Sequence, residues 1–232
     1  MEGTWINAVT VILASGIGLL LNKRLPDRYH QIVFQAIGLF TIVLGIKMAF
    51  DSQNLLYVIL SLAFGGLIGE FLRIEDRIRY FSDWLKHKLK VGNPKFTEGF
   101  TTATLLFCVG TMSILGAIQD GLGETPDLLY TKSVLDGFSA MVLTVAYGIG
   151  VAFSVVPMVL YQGGISLAAG YLDSFLSESM MAELSSVGGV MIVGIGINLL
   201  GLKELRILNL LPSLFVVVLL TWAYAKYAYL FV

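Results

Sequence analysis

Charged residues are scarce in this sequence. Asp, Glu, Lys and Arg make up 13% of its 232 residues, whereas soluble globular domains carry about 25%. Apolar residues account for 56% of the chain. The formal net charge of −1 describes no single basic or acidic surface, because charges at opposite membrane faces cancel, and we expect no nucleic-acid partner. The composition therefore excludes a soluble globular protein and indicates a protein embedded in a lipid bilayer.

Cysteine and histidine are almost absent. The single cysteine, Cys108, has no partner for an intrachain disulfide. His30 and His87 lie in basic segments without a second ligand at metal-binding spacing, and neither is placed to act as the base for a serine nucleophile. Asp120-Gly and Asp136-Gly lack the Gly-x-Gly-Asp setting of intramembrane aspartyl proteases. We therefore expect no enzyme activity, no bound metal and no cofactor.

The first residues, Met-Glu-Gly-Thr-Trp, are acidic. They lack the basic n-region and the small-residue cleavage site of a secretory signal. We therefore expect the first apolar stretch to be retained as part of the membrane domain.

Eight apolar runs are long enough to cross a bilayer core of about 30 Å, which takes about 20 residues of helix. The runs are Trp5–Leu21, Gln31–Phe50, Asn54–Leu72, Thr97–Ile118, Lys132–Phe153, Val155–Leu172, Leu184–Gly201 and Leu205–Tyr229. Only Ser154 and Pro157 divide the fifth run from the sixth, so one re-entrant pair is an alternative to two full crossings there. The predicted fold is all-α, a polytopic transmembrane helix bundle of about eight spans.

The basic residues predict the orientation of these spans. Twelve of the fifteen Lys and Arg residues fall between spans one and two, three and four, and seven and eight, and cytoplasmic loops are enriched in such residues. The complementary loops carry acidic residues: Asp51, Asp120, Glu124, Asp127, Asp173, Glu178 and Glu183. Eight spans satisfy this alternation and place both termini outside.

The connection between spans three and four carries an amphipathic pattern. Apolar residues recur at helical spacing at Ile74, Ile78, Phe81, Leu85 and Leu89. The other face holds Arg77, Arg79, Asp83, Lys86 and Lys90. With Trp84, this pattern predicts a helix in the cytoplasmic interface, with its cations near anionic headgroups. A partner-binding helix is the alternative.

Three pairs of segments indicate an internal repeat. Gly38–Lys47 resembles Gly189–Asn198, the Asn-Leu-Leu at 54–56 matches that at 209–211, and 16–19 resembles 164–167. The offsets are 151, 155 and 148 residues. Spans one to three and six to eight would then be inverted repeats, an architecture of many secondary transporters. The predicted domains are 1–72 and 154–232 as repeats, 73–95 as the amphipathic helix and linker, and 96–153 as a central helix pair.

Span four concentrates polar residues among glycines. Thr111, Ser113, Gln119 and Asp120 lie in the stretch that contains glycines 110, 116, 121 and 123. This composition favours an interrupted helix, whose free backbone groups are tolerated where they line a cavity. Alternatively, Asp120 is the first acidic residue of an outer loop.

Further polar groups lie within the apolar runs. Asp136 follows Lys132 by four residues, so the two can pair, and an ionisable residue inside a span is a functional candidate by default. Gln162 lies mid-span beside two glycines. Lys47 and Asn198 occupy matching positions in the proposed repeat. A helix-end ion pair for Asp136 and snorkelling of Lys47 remain the alternatives.

The motifs of residues 108–121, 132–137 and 161–163 resemble those of the bacterial YdfK/YqgA-like integral membrane proteins, a family of unknown function. The likeness covers nearly the whole chain. It implies a protein of the prokaryotic cytoplasmic membrane, of a kind often labelled a transporter, and it implies no substrate. The residues that match the family's polar motifs are Thr111, Ser113, Gln119, Asp120, Lys132, Asp136 and Gln162.

Together these features predict a transporter or channel for a small ion or solute. Asp120 and Asp136 would supply negative charge or exchange protons, while hydroxyl and amide groups would supply oxygen ligands near the bilayer midplane, where the repeats meet. A cation fits these groups best, although Lys132 and Lys47 weaken the preference. The alternative is a non-transporting membrane subunit or scaffold that acts through its amphipathic helix. Because eight short spans enclose little volume, a homo-oligomer is expected.

Overall fold

The computed structural model describes residues 1–22, 27–88, 90–108 and 110–227, and these residues form helices and loops without a strand. The helices are α1 (Glu2–Asn22), α2 (Asp27–Ala49), α3 (Leu55–Leu72), α4 (Ile74–Lys88), α5 (Phe96–Cys108), α6 (Thr111–Leu122), α7 (Asp127–Tyr147), α8 (Gly150–Phe153), α9 (Val155–Leu167), α10 (Ala169–Phe175), α11 (Glu178–Leu199) and α12 (Pro212–Tyr227). A 3₁₀ turn, Ile207–Leu210, precedes α12. The predicted all-α fold class is confirmed.

Several helices are long and apolar enough to cross a membrane. Among the described residues there are six: α1, α3, α7, Gly150–Leu167, α11 and Ile207–Tyr224. The bent pair of α5 and α6 makes a seventh if it is one span. The protein is therefore a polytopic helical membrane protein, and the count of eight crossings stays a prediction.

Helices α5 and α6 together run along α7. A Cβ atom placed on Gly99 of α5 would lie 2.7 Å from Cβ of Tyr147, the last residue of α7. One placed on Gly116 of α6 would lie 2.8 Å from Cγ of Leu129, near the start of α7. The pair is therefore antiparallel to α7 over almost its full length. This is the geometry of a broken span, since a re-entrant loop would return to the end from which it started.

The chain divides into two compact units. Unit 1 consists of Met1–Ile37 and Arg79–Phe175, and unit 2 consists of Gly38–Ile78 and Leu176–Val232. These units group segments by contact, whereas the predicted domain boundaries at residues 72, 95 and 153 group them by internal repeat. Those boundaries stay a prediction.

Unit 1 is built on the parallel packing of α1 and α7. A Cβ atom on Gly18 would lie 2.4 Å from the carbonyl oxygen of Met141, and one on Gly137 would lie 2.6 Å from Cγ2 of Thr10. Small residues let helix backbones approach this closely, which is how helices associate in lipid.

Unit 2 is built on two antiparallel helix pairs. In the first, Gly38 and Gly45 of α2 pack against Gly196 and Gly189 of α11, respectively. In the second, Gly65 and Gly69 of α3 pack against Ser213 at the start of α12 and against the backbone of Asn209. These two contacts are formed by four glycines, and a Cβ atom on any of the four would overlap the facing backbone or side chain.

Lipid is the environment that the outer helix faces require. On α3, Phe64, Leu67 and Phe71 are 54%, 68% and 87% exposed, respectively. Contiguous apolar surface of this kind is rare on soluble monomers and is normal where acyl chains cover it.

Helix α4 follows α3 through a sharp turn. Arg73 adopts a left-handed conformation with φ of 50°, and α4 begins at the next residue. Within α4, Ile78, Ser82 and Leu85 lie on a buried or half-buried face, while Phe81 is exposed. A helix is present where the amphipathic pattern predicted one, but its apolar residues divide between two faces instead of sharing one. Leu89 lies outside the described residues, as do Lys23 and Arg24 of the first basic loop.

Two predicted span boundaries are wrong. Helix α7 ends at Tyr147, and Gly148 makes the turn with φ of 78°, so the fifth and sixth runs divide there rather than at Ser154. Helix α11 begins at Glu178, so Glu183 lies within it and is 1% exposed rather than part of an outer loop. In both cases local backbone geometry and tertiary hydrogen bonds, which hydropathy does not detect, set the boundary.

Candidate functional site

A buried ion pair lies at the centre of unit 1. Lys132 and Asp136 of α7 are 5% and 7% exposed, and Nζ of Lys132 donates a hydrogen bond to Oδ2 of Asp136. The i, i+4 spacing predicted this pairing, because it places both side chains on one face of the helix. A charged pair inside a membrane span is expensive, so its partners decide whether the pair persists.

Helix α1 contributes the third member of the cluster. Asn7 is completely buried, and its Nδ2 donates to Oδ2 of Asp136 at 3.0 Å and lies 3.5 Å from Sδ of Met158 in α9. One amide group therefore contacts both α7 and α9. Asn7 was not among the residues predicted from the sequence, although a carboxamide flanked by Ile6 and Ala8 in an apolar run was the signal available.

The break between α5 and α6 lies beside this ion pair. Nζ of Lys132 is 5.8 Å from the centroid of the Phe107 ring, and Phe107 and Cys108 are the last two residues of α5. Ser113 donates from Oγ to the carbonyl oxygen of Phe107 at 2.7 Å. It thereby satisfies one backbone acceptor that the break releases. The side chain of Thr111 lies outside the described part of the chain.

Several buried amide groups around this region have no hydrogen-bond partner among the residues that the structure describes. In Gln162 of α9, which is fully buried, both Oε1 and Nε2 are unpartnered. Oδ1 of Asn7 and Oε1 of Gln119 are unpartnered as well. An unsatisfied buried polar group costs about 1–3 kcal/mol. A bound water, ion or solute is the ordinary way in which such groups are satisfied.

The carboxylate of Asp120 caps the start of α1. It accepts hydrogen bonds from the backbone N–H of Gly3 and from the N–H and hydroxyl of Thr4, each at 3.2 Å. Free N–H groups at a helix start attract a carboxylate, and the helix dipole adds to the attraction. Asp120 therefore contacts α1 about one turn from Asn7, so both predicted aspartates border the same stretch of that helix.

Of the three secondary candidates, Lys132 belongs to the ion pair of unit 1, whereas Lys47 and Asn198 lie in unit 2. Lys47 is exposed in the last turn of α2. The exposed side chain of Asn198 bonds to both backbone groups of Leu205, donating to its carbonyl oxygen and accepting from its N–H, each at 2.8 Å. That arrangement closes the loop after α11. The polar groups of the Asp136 cluster come from unit 1.

Unit 2 contains a buried carboxylate that the sequence analysis assigned to a loop. Glu183 accepts hydrogen bonds from Oγ of Ser52 at 2.6 Å and from the N–H groups of Gln53 and Asn54 at 2.8 Å. It fixes the connection between α2 and α3. The available signal was Ser177, a typical N-cap residue whose side chain accepts from the N–H of Met180. It marks the true start of α11.

Charge and geometry define what the Asp136 cluster can do. Oδ2 of Asp136 accepts hydrogen bonds from both Lys132 and Asn7. The pair is neutral overall, and the open groups around it are mostly oxygen acceptors. An incoming cation at this site competes with the ammonium group of Lys132 for the carboxylate of Asp136.

Comparison with known proteins gives relatives of full length. The chain is 36% identical over 220 residues to the uncharacterized membrane protein YdfK of Bacillus subtilis (strain 168), covering 93% of each chain. It is 30% identical over 230 residues to the uncharacterized protein YqgA of Escherichia coli (strain K12), covering 97% of this chain and 98% of the relative. No solved structure matches the fold. Since the model of the family described as protein of unknown function (DUF554) matches residues 2–222, the chain belongs to that family.

Proposed function

We propose that this protein is a membrane transporter or channel for a small ion or solute, with a preference for cations. The substrate site lies where α1, α7 and α9 meet beside the break between α5 and α6. The observation that carries the proposal is Asp136, a buried carboxylate held by Lys132 and Asn7 among unpartnered amides. We infer no enzymatic activity for this site.

The energetics of the ion pair support a functional role. A buried ion pair is often no more stabilising than apolar side chains of similar volume, because desolvation offsets the Coulomb attraction. Packing alone therefore gives no reason to place Lys132 and Asp136 within a span. An ion pair that can separate, so that the carboxylate of Asp136 binds an incoming cation, gives such a reason.

The oxygen atoms of the cluster favour a cation over an anion. Oδ1 of Asn7 and Oε1 of Gln162 are acceptors without donors among the described residues. Oxygen ligands of this kind suit alkali and other hard cations. Lys132 acts as the resident cation in this scheme, and an arriving ion competes with its ammonium group for Asp136.

Antiparallel contacts support the inverted repeat. The matched segments of α2 and α11 cross with Gly38 against Gly196 and Gly45 against Gly189. The repeat offset of 151 residues relates Gly38 to Gly189 and Gly45 to Gly196, so it converts the first contact into the second. A local two-fold axis between the two helices requires this relationship. Within unit 2, the equivalent helices α3 and α12 are also antiparallel.

The first and sixth predicted spans, which correspond to α1 and α9, also contact each other in antiparallel orientation within unit 1. Asn7 of α1 meets Met158 of α9, and a Cβ atom on Gly163 would lie 2.9 Å from the Cε atom of Met1. The direction of contact is antiparallel, as for inverted repeats. Counting α2 and the broken pair α5–α6 as one crossing each gives eight spans, with the basic loops in the cytoplasm and both termini outside. We place the protein in the bacterial or archaeal cytoplasmic membrane.

Ion flux from reconstituted liposomes tests the proposal. The panel compares Na⁺, K⁺, H⁺ and Mg²⁺ for the parent, Asp136→Asn and the charge-neutral double variant Lys132→Met with Asp136→Asn. The double variant leaves no unpaired buried charge, so it separates loss of transport from loss of folding. Asp127→Asn is the matched control, since Asp127 is an exposed carboxylate at the start of the same helix.

We expect flux of at least one cation in the parent and in Asp127→Asn, with loss of that flux in both Asp136 variants. Asp120→Asn is expected to reduce flux less, because Asp120 already caps α1. Flux that is unchanged in the folded double variant would reject Asp136 as part of the pathway.

A non-transporting membrane subunit is the second candidate function. The observation in its favour is the exposed aromatic side of α4, where Tyr80, Phe81 and Trp84 project from the protein. Absence of flux for every ion and solute in the panel, with folded protein in the vesicles, would favour this candidate. The homo-oligomer expected from the small size of the bundle stays a prediction under both functions.

A further inference from the structure

Helix α4 has three distinct faces. Ile78, Ser82 and Leu85 lie on the face that packs against the protein. Asp76, Arg79, Asp83 and His87 form a polar, exposed face, where Asp83 accepts a hydrogen bond from Oγ1 of Thr97 at 2.6 Å. The third face is aromatic and exposed, and packing within the chain does not account for it.

The third face combines aromatic rings with cations. Arg77, Phe81, Trp84 and Lys88 follow the i, i+4, i+7, i+11 spacing of one helix side, and all four are exposed. The rings of Phe81 and Trp84 stack at 5.8 Å, and Nζ of Lys88 lies 4.7 Å from the Trp84 ring centroid. We name this set the aromatic face. It contains no carboxylate among the described residues of α4.

The aromatic face begins where the lipid-facing surface of α3 ends. Phe71, one turn after Leu67, is the most exposed apolar residue of α3, and α4 starts three residues later, after the turn at Arg73. A helix that turns directly out of a span lies at the level of the lipid headgroups. Trp and Tyr concentrate at that level because their rings are apolar and their polar atoms remain hydrated.

We propose that the aromatic face of α4 binds anionic phospholipid headgroups. Phe81 and Trp84 insert at the boundary between headgroups and acyl chains, and Arg77 and Lys88 contact the phosphates on either side of them. The continuity with α3 and the two unopposed cations favour lipid over a protein partner. Lipid binding by α4 does not depend on transport, so its test gives a result that is separate from the function proposed for Asp136.

The fluorescence of Trp84 can be used to identify what surrounds this side chain. In a Trp5→Phe, Trp222→Phe background, Trp84 is the one remaining tryptophan, and both replaced side chains are exposed. The full-length protein is reconstituted in vesicles of phosphatidylcholine and phosphatidylglycerol in which one of the two lipids is brominated close to its carbonyl groups. Quenching of Trp84 by brominated lipid is the result expected. An unquenched Trp84 would mean that water, a second copy or a protein covers the face, and would overturn the proposal.

Comparing the two brominated lipids measures the headgroup preference. We expect stronger quenching by brominated phosphatidylglycerol, and Arg77→Gln with Lys88→Gln should reduce that preference by about fivefold for each cation removed. Lys47→Gln with Lys203→Gln removes the same charge from exposed positions elsewhere and should leave the preference unchanged. An equal preference in the parent and in the α4 variant would overturn the proposal.

Salt gives a second measurement that needs no variant at α4. Raising the ionic strength from about 0.1 M to about 1 M shortens the Debye length from about 10 Å to about 3 Å. The preference for phosphatidylglycerol should fall, while quenching of Trp84 by brominated phosphatidylcholine persists. A preference that does not respond to salt would contradict recognition by Arg77 and Lys88.

Discussion

Nδ2 of Asn7 lies 3.0 Å from Oδ2 of Asp136, the same carboxylate oxygen that accepts a hydrogen bond from Lys132. Two residues that are 129 positions apart in the chain therefore share the central contact of unit 1. Because Asn7 also lies against Met158, this one side chain of α1 contacts both α7 and α9 beside the carboxylate.

Asn7→Ala is expected to lower both stability and flux. The substitution removes a buried hydrogen bond to a charged group, which costs about 1.5–3 kcal/mol. The midpoint of thermal unfolding in detergent and cation flux in liposomes measure the two effects. Gln31→Ala, at an exposed carboxamide of α2, is the control. Equal unfolding midpoints for the two variants would contradict the role of Asn7.

A double-mutant cycle should show strong coupling between Lys132 and Asp136. Lys132→Met alone leaves a buried carboxylate unpaired and is expected to cost about 3–5 kcal/mol. Adding Asp136→Asn should recover most of that loss, because no buried charge remains. The free energy of unfolding of both single variants and the double variant gives the coupling. Additive losses would show that the two groups do not interact in the folded protein.

Gly45→Ala is expected to destabilise unit 2. The added Cβ would lie 2.6 Å from the carbonyl oxygen of Gly189 and from the backbone nitrogen of Val193, so α2 and α11 must separate. Overpacking of this kind costs about 1–3 kcal/mol. Thermal unfolding in detergent measures the loss.

Gly16→Ala supplies the matched control for that substitution. No atom lies within 4 Å of a Cβ placed on this helical glycine of α1. The alanine should therefore stabilise the helix, by about 0.5–1 kcal/mol, since it removes the conformational freedom of glycine without a clash. The same loss in both variants would mean that helix propensity, and not close contact, governs these positions.

Glu183→Gln is expected to loosen the connection between α2 and α3. The carboxylate accepts three hydrogen bonds from residues 52–54, and the amide keeps one acceptor oxygen while adding donors with no acceptor to meet. We expect a loss of about 1–3 kcal/mol in the free energy of unfolding. Glu178→Gln, at an exposed position of the same helix, should have no measurable effect. A stable Glu183→Gln variant would reject the role of this carboxylate in fixing the connection.

The proposed orientation predicts opposite labelling of two loops. In a Cys108→Ser background, a membrane-impermeant thiol reagent applied to intact cells should label Glu124→Cys and leave Lys90→Cys unlabelled. Lys90 lies in the basic connection and Glu124 in an acidic one, and basic loops stay in the cytoplasm. Permeabilised cells should show labelling of both positions. Labelling of Lys90→Cys in intact cells would reverse the topology.

Part of the site was predictable because it is local. Lys132 and Asp136 are four residues apart on one helix, so their pairing follows from helical geometry alone. Gln162 is a carboxamide in an apolar run, which marks it without any tertiary information. Asn7 carried the same kind of signal, but its partners come from distant segments.

The sequence by itself determined the membrane class, the helical fold and most of the spans, because hydropathy and the 3.6-residue period are local properties. It also located helix α4. Only the tertiary structure decided that Asp120 caps α1, that Asn7 and not Asp120 meets Asp136, and that Glu183 is buried. These outcomes depend on which helix surfaces meet, and in lipid that is decided by the fit of glycines against facing backbones and by hydrogen bonds between distant residues.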